Sequence, residues 1–301
     1  LMTSVQVQKL QTLSGHRDRV YTVVAGDDPS RFFSAGGDGR VVLGDLKSPE
    51  EGQLIAKLPN SVYAVHLVNV LIVGHNYEGI HLIDPKEKKE LTSLKTTDAA
   101  IFDLQSHENN LFIASGDGAF TAIDLRTMTT KAKHNHSEKS ARTIAVNPAT
   151  GDIAVGYSDN FIRVFDLGTF ALKKEWAAHT NSVFTLRYSA DGRFLLSGSR
   201  DARLKAWDPQ NNYSLAEEIV AHMYAINSLS FSPNGKHFVT CSLDKSIKLW
   251  DADQLKLLKV IDKARHAGHG TSVNKLLWTG FDGQVVSASD DRTISVWKFI
   301  F

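Results

Sequence analysis

Three segments of this chain hold the same distinctive residues at the same spacings. They run from Ala178 to Asp208, from Ala221 to Asp251 and from Gly268 to Lys298. In each, a histidine precedes an aspartate by 22 positions: His179 and Asp201, His222 and Asp244, His269 and Asp291. The aspartate precedes a tryptophan by six positions (Trp207, Trp250, Trp297), and a hydroxyl side chain stands four before the aspartate (Ser197, Thr240, Ser287). Self-similarity at a fixed period is the mark of a repeat architecture. Such a unit cannot bury its apolar face alone, so copies must pack on one another.

Weaker copies fill the remainder. His16, Ser34 and Asp38 keep the three offsets, but Gly44 stands in the tryptophan place. Asp159 is followed by Phe165 in that place, and Asp117 by Ile123. The stretch ending at Asp84 keeps only the apolar pattern and the terminal aspartate. This makes seven units of roughly 40 residues. Each reads as short β-rich runs with period-two alternation and no helical period. Val183, Leu186 and Tyr188 share a face only if a bulge lies near the start of their strand. The pairs Asp191-Gly192, Asn234-Gly235 and Asp282-Gly283 mark tight hairpins.

On these residues the chain resembles the WD-repeat (WD40) β-propeller family, over about Val5 to Phe299. The resemblance implies an all-β fold: a seven-bladed WD40 β-propeller, each blade a four-stranded antiparallel sheet around a central channel, forming a single domain over residues 1–301. It also implies that the N-terminal strand, Val5 to Leu13, pairs beside Thr293 to Phe299. That closes the ring and covers an edge whose backbone groups would otherwise be unpaired.

Ser, His and Asp together invite a serine hydrolase reading. The recurrence of the set in three blades argues for structure instead, because catalysis needs one site. The tryptophan N–H can donate to the hydroxyl, which makes a relay Trp–Ser/Thr–His–Asp with no hydroxyl face left for substrate. His16, Ser34 and Asp38 belong to the same network without the indole. Blades around residues 55–166 are expected to rely on apolar packing alone and to exchange their amide protons faster than residues 178–298.

In the family, partners contact the narrow face through the residue before the structural aspartate and two positions near the start of each innermost strand. Carried onto this chain, the resemblance implies protein-binding roles for Arg19, Tyr21, Tyr63, Asp98, Arg142, Phe184, Arg200, Asn227 and Asn274. Aromatic and arginine side chains are favoured at interface hot spots, and a mixed Tyr/Phe/Arg set suits a peptide with an acidic and an apolar side chain.

Other features narrow the reading. A formal net charge of +1 argues against a dedicated nucleic-acid binder. One cysteine, Cys241, excludes an intrachain disulfide framework. The N-terminus shows no basic segment followed by an apolar run, and no apolar stretch approaches the roughly 18 residues of a membrane span. Asn135 and Asn212 each begin an Asn-x-Ser triplet, read as chance in the absence of a secretion leader. His134–His136 and His266–His269 lack the Cys or carboxylate companions of a metal site, so neither metal nor cofactor is expected. The basic stretch Lys131–Arg142 reads as a solvated loop or an anion-binding patch.

The expected function is therefore a non-enzymatic scaffold that binds a protein or peptide on the narrow face. The expected chain is monomeric, cytoplasmic or nuclear, and without membrane attachment. The competing readings are an enzyme in the central funnel, for which only Asp98 and Asp290 offer carboxylates, and nucleic-acid binding through residues 131–142.

Overall fold

A computed structural model of the chain describes residues 5–301. The strands in chain order are β1 (Gln6–Leu13), β2 (Val20–Ala25), β3 (Arg31–Gly36), β4 (Arg40–Asp45), β5 (Gln53–Lys57), β6 (Val65–Leu67) and β7 (Leu71–His75). Next come β8 (Gly79–Asp84), β9 (Lys89–Lys95), β10 (Ile101–His107), β11 (Asn110–Ser115), β12 (Ala119–Asp124), β13 (Thr129–Asn135) and β14 (Ala141–Asn147). They continue as β15 (Asp152–Tyr157), β16 (Phe161–Asp166), β17 (Leu172–Ala177), β18 (Val183–Tyr188), β19 (Leu195–Ser199), β20 (Arg203–Asp208) and β21 (Ser214–Val220). The last are β22 (Ile226–Phe231), β23 (His237–Ser242), β24 (Ile247–Asp251), β25 (Lys256–Ile261), β26 (Val273–Trp278), β27 (Val285–Ser289) and β28 (Ile294–Ile300). The single α-helix among the described residues is one turn, Lys263–His266.

These strands form seven four-stranded antiparallel sheets. Six are consecutive: β2–β5, β6–β9, β10–β13, β14–β17, β18–β21 and β22–β25, here blades 1 to 6. The seventh is β26–β27–β28 completed by β1, which pairs antiparallel with β28 from Gln6 opposite Ile300 to Leu13 opposite Ile294. The last sheet thus takes its outer strand from the start of the chain, as the sequence implies. The architecture is the seven-bladed β-propeller. Two compact units are distinguishable, residues 1–62 with 227–301 and residues 63–226.

The middle strands of each blade carry its core. Along β11, Leu111, Phe112, Ile113 and Ala114 are all fully buried, and along β19 every residue is buried. The outer strands β9, β13 and β21 are mostly exposed, and β9 and β13 are mostly polar, as expected of an edge that must resist pairing with another chain.

The expected bulge lies in β18, where the register shifts between Val183 and Thr185. The same shift opens β2 at Tyr21, β10 at Phe102, β14 at Arg142 and β26 at Asn274. An extra residue at a bulge has no partner on the neighbouring strand and is re-aimed out of the ladder. The residue after it then ties one blade to the next: Asp103 accepts from the Ile144 N–H at 2.8 Å and Thr143 from Leu186 at 3.2 Å; Ser228 of β22 makes a like tie to the Leu276 N–H at 3.3 Å.

The hairpins marked by the Asp-Gly and Asn-Gly pairs are short connections. The connections closed by Ser189–Phe194, Ser232–His237 and Thr279–Gln284 bonds, each 2.8 Å, enclose four residues apiece. Asp191 and Asn234 act there as loop caps, accepting from the N–H groups of Arg193 and Lys236. Gly192 and Gly235 supply the left-handed residue, each with φ of 71°.

Candidate functional site

The repeated residues meet as side chains. In blade 5, His179 Nδ1 lies 3.0 Å from Asp201, His179 Nε2 lies 2.7 Å from Ser197 Oγ, and Trp207 Nε1 donates to Ser197 Oγ at 2.8 Å. A carboxylate only accepts, so Nδ1 carries the hydrogen and, in the neutral ring, Nε2 accepts from the serine. Blade 7 repeats the relay with His269–Asp291 at 2.7 Å, His269–Ser287 at 2.8 Å and Trp297–Ser287 at 2.9 Å. In blade 6, Trp250 donates to Thr240 at 2.9 Å, His222 is buried, and Asp244 accepts from the N–H and hydroxyl of Ser246. Burial alone would raise the Asp201 carboxyl. The His179 hydrogen bond and charge, with the Thr180 and Arg203 N–H groups, hold it well below the usual carboxylate range instead. Asp291 is held low in the same way by His269 and Thr293. Desolvation lowers the His179 pKa, opposed by Asp201.

Blade 1 has the relay without its last member. His16 lies 3.1 Å from Asp38 and 2.8 Å from Ser34 Oγ, and Gly44 faces Phe32 across the β3–β4 pair. In blade 4, Phe165 in the tryptophan place packs at a tilt against His134 and His136, with ring centroids 5.3 and 5.6 Å apart. Those two histidines therefore serve as ring packing. Among the described residues no group of three or more His, Cys, Asp or Glu side chains could hold a metal ion.

The expectation that blades around residues 55–166 rely on apolar packing alone is corrected in blades 3 and 4. In blade 3, Asp117 accepts from Thr97 at 2.9 Å and from Ser115 at 2.6 Å, so two hydroxyls replace the imidazole. In blade 4, Asp159 pairs with Arg163 at 2.9 Å, and the guanidinium lies over the Tyr157 and Phe161 rings. The Lys131–Arg142 stretch is likewise no free loop. Residues 131–135 belong to β13, Lys131 bonds Asn110, Lys133 lies 3.7 Å from Asp117, and Arg142 lies in β14.

The strand-start residues form two groups, one in each unit. In residues 63–226 the rings and one guanidinium make a ladder. Tyr63 lies 5.5 Å from Phe102, Arg142 sits 3.9 Å over Phe102, and it sits 4.8 Å from the Phe184 ring. All four are half-buried. Burial lowers the Arg142 pKa to about 10, with Tyr63 opposing, so the guanidinium stays charged at neutral pH.

Phe102 was not among the residues expected here, and Asp98 was. The blade 3 register explains the difference. Phe102 is the bulge residue equivalent to Tyr21 and Phe184, and Ala100, whose carbonyl accepts from Gly116, stands where Arg19 and Ser182 do. Asp98 falls two residues early; it is solvent-exposed and paired with Lys95 at 2.7 Å.

The other unit carries a polar chain. Asn227 donates to Ser272 Oγ at 3.0 Å and to the Val273 carbonyl at 2.8 Å. Asn274 donates to the Val20 carbonyl at 2.9 Å and to Asp290 at 2.8 Å. Asp290 lies 3.9 Å from exposed Arg19, whose pKa it raises, with a smaller contribution from Tyr21. The two asparagine amides thus stitch neighbouring blades together. Arg200 is exposed, with its N–H on the Ser182 carbonyl.

Seven four-stranded sheets and a recurring indole–hydroxyl–imidazole–carboxylate relay define a WD-repeat β-propeller. The family model described as "WD domain, G-beta repeat" matches residues 7–45, 170–208, 214–251 and 261–298, just over half of the chain. The chain belongs to the WD40 family. The matched segments contain the relay residues of blades 1, 5, 6 and 7; blades 2 and 3, and blade 4 apart from its outer strand β17, lie outside them. The chain is 24% identical over 221 residues to WD repeat-containing protein 81 of Rattus norvegicus, covering 66% of this chain and 11% of that protein. It is 27% identical over 163 residues to the THO complex subunit 6 homolog of Danio rerio, covering 47% of this chain and 50% of that one. It therefore spans about a tenth and half, respectively, of these curated relatives. Among solved structures, the WD40 β-propeller domain of Doa1 superposes with a TM-score of 0.86 at 19% identity, covering 97% of both chains. No helix among the described residues is long and apolar enough to cross a membrane.

Proposed function

We propose that the chain is a non-enzymatic scaffold, one propeller domain over residues 1–301, monomeric by itself and working in the cytoplasm or nucleus. It binds a protein or peptide through the strand-start residues, with the Tyr63–Phe102–Arg142–Phe184 ladder as the anchor. The observation that carries this reading is Arg142. Its guanidinium lies over the Phe102 ring and close to the Phe184 ring, and no carboxylate pairs with it among the described residues. A guanidinium stacked in this way keeps its in-plane N–H edge, the edge that grips a carboxylate with two hydrogen bonds. Half-buried rings on either side offer apolar area at little entropy cost. The fitting ligand is an acidic side chain flanked by an apolar one. The name of the zebrafish relative, a subunit of a complex, is in keeping with a role among partners.

The test is recovery of partners from cell extract by wild type and by Phe184→Ala combined with Arg142→Glu. Hot-spot anchors contribute about 2 kcal/mol or more each, so recovery should drop at least tenfold. Unchanged recovery by a folded double variant would place binding on another surface.

A further inference from the structure

We propose that blade 1 carries an open socket that receives the indole side chain of a tryptophan in a partner protein. Blades 5, 6 and 7 each fill the corresponding place with their own tryptophan, whose N–H reaches Ser197, Thr240 or Ser287 at 2.8–2.9 Å. Blade 5 packs the place further, with Trp176 of β17 against Trp207 at 5.4 Å. In blade 1 both contributions are missing. Gly44 replaces the tryptophan, and β1 presents Gln11, Thr12 and Leu13. Beside the Phe32 ring a cavity of about 650 Å³ remains, lined by Ser34, His16, Phe32, Val42, Leu54 and Leu13, among others. That volume falls within the range of small-ligand pockets.

The chemistry of the cavity matches an indole. Ser34 is buried, and its hydroxyl serves His16 Nε2 at 2.8 Å. With the serine hydrogen directed at the imidazole, the oxygen keeps lone pairs for a donor. In three sister blades that donor is an indole N–H. Phe32, Val42, Leu13 and Leu54 supply the apolar walls for the ring. Leu54 is 46% exposed on β5, an apolar side chain at the mouth. A Cβ on Gly44 would lie 2.5 Å from the Phe32 ring, so that ring covers the point from which the sister blades project their tryptophan. The Ser34 hydroxyl is left with His16 as its side-chain partner, and the indole that completes the relay enters beside Phe32 from another molecule.

The probes are N-acetyl-tryptophanamide and its 1-methylindole analogue, titrated against the full chain by saturation-transfer NMR and calorimetry. Wild type should bind the first saturably and the second about five- to tenfold more weakly, the worth of one hydrogen bond. Ser34→Ala should make the two ligands equal. Phe32→Ala with Gly44→Trp should fill the socket from within and reduce binding at least tenfold. Should that double variant misfold, Leu54→Arg at the mouth should give the same loss without touching the core. Three results would overturn the proposal: no saturable binding, equal affinity of the two ligands for wild type, or unchanged binding by Leu54→Arg. Self-association of wild type that Leu54→Arg abolishes would overturn the foreign partner, since a second copy would then be the occupant.

Discussion

Ser197→Ala and Ser34→Ala remove the same hydroxyl from two copies of one network and should differ in cost by the share of the indole. Ser197 is fully buried and serves both His179 Nε2 and Trp207 Nε1. Its removal deletes two hydrogen bonds and leaves two buried polar groups without a partner. Each bond contributes about 0.5–1.5 kcal/mol net, and each stranded group costs about 1–3 kcal/mol. Allowing for overlap between those figures, the loss is about 2–4 kcal/mol. Ser34 serves His16 alone among the described side chains, so Ser34→Ala should cost about 1–2 kcal/mol. Urea unfolding followed by both fluorescence and circular dichroism reads the difference, provided the two probes coincide and the slope is unchanged. For a chain of this size each kcal/mol moves the melting temperature by roughly 1.5–2 °C. Ser197→Ala should then melt about 3–8 °C low and Ser34→Ala about 2–4 °C low. A Ser34→Ala loss equal to or larger than that of Ser197→Ala would refute the relay as the source of the difference.

Other expectations follow from the same geometry. Deleting residues 1–13 removes β1 and bares the β28 edge, so the truncated chain should lose its single cooperative transition; one sharp melt would contradict this. His179 has a folded pKa below its unfolded value because burial dominates. Its contribution to stability is full above about pH 6.5 and fades as pH falls through the folded value. Asp201 and Asp291 add a second loss below about pH 4, since both are held low in the fold. The urea midpoint should therefore fall in two stages on acidification, and a rise between pH 6.5 and 5 would contradict the assignment. Cys241 is fully buried, and burial pushes its thiol above the usual range. Ellman's reagent should label it only at the rate of unfolding, and fast labelling of native protein would count against its place in the core.

The blades carrying the full relay are legible because hydrogen-bonding geometry fixes residue type and spacing together. An imidazole that must reach a carboxylate and a hydroxyl at once tolerates no shift in register. The edge pairing of β1 with β28 follows from counting strands. Blades 2 to 4 are legible only as apolar pattern, and the errors fall there. Without a histidine to anchor the alignment, the apolar pattern alone puts the strand start of blade 3 two residues early, at Asp98. A local signal was available: Val20-Tyr21-Thr22-Val23, Val183-Phe184-Thr185-Leu186 and Ile101-Phe102-Asp103-Leu104 share one pattern. In each, the second residue is the bulge. The Thr97–Asp117–Ser115 cluster was not legible, because a hydroxyl 20 positions before the aspartate does the work of an imidazole 22 positions before it. Nor was the stacking of Arg142, which depends on three bulges in three separate blades pointing the same way.

The most direct test of the scaffold reading is site-specific photo-cross-linking in cell extract. A photoreactive amino acid is placed at Tyr63, at one end of the ladder, or at Leu91, an exposed position on the outer strand β9. The account predicts a discrete cross-linked partner from position 63 that is absent from position 91 and disappears when Arg142→Gln is added. Equal adducts from both positions, or an adduct from 63 that survives Arg142→Gln, would contradict it.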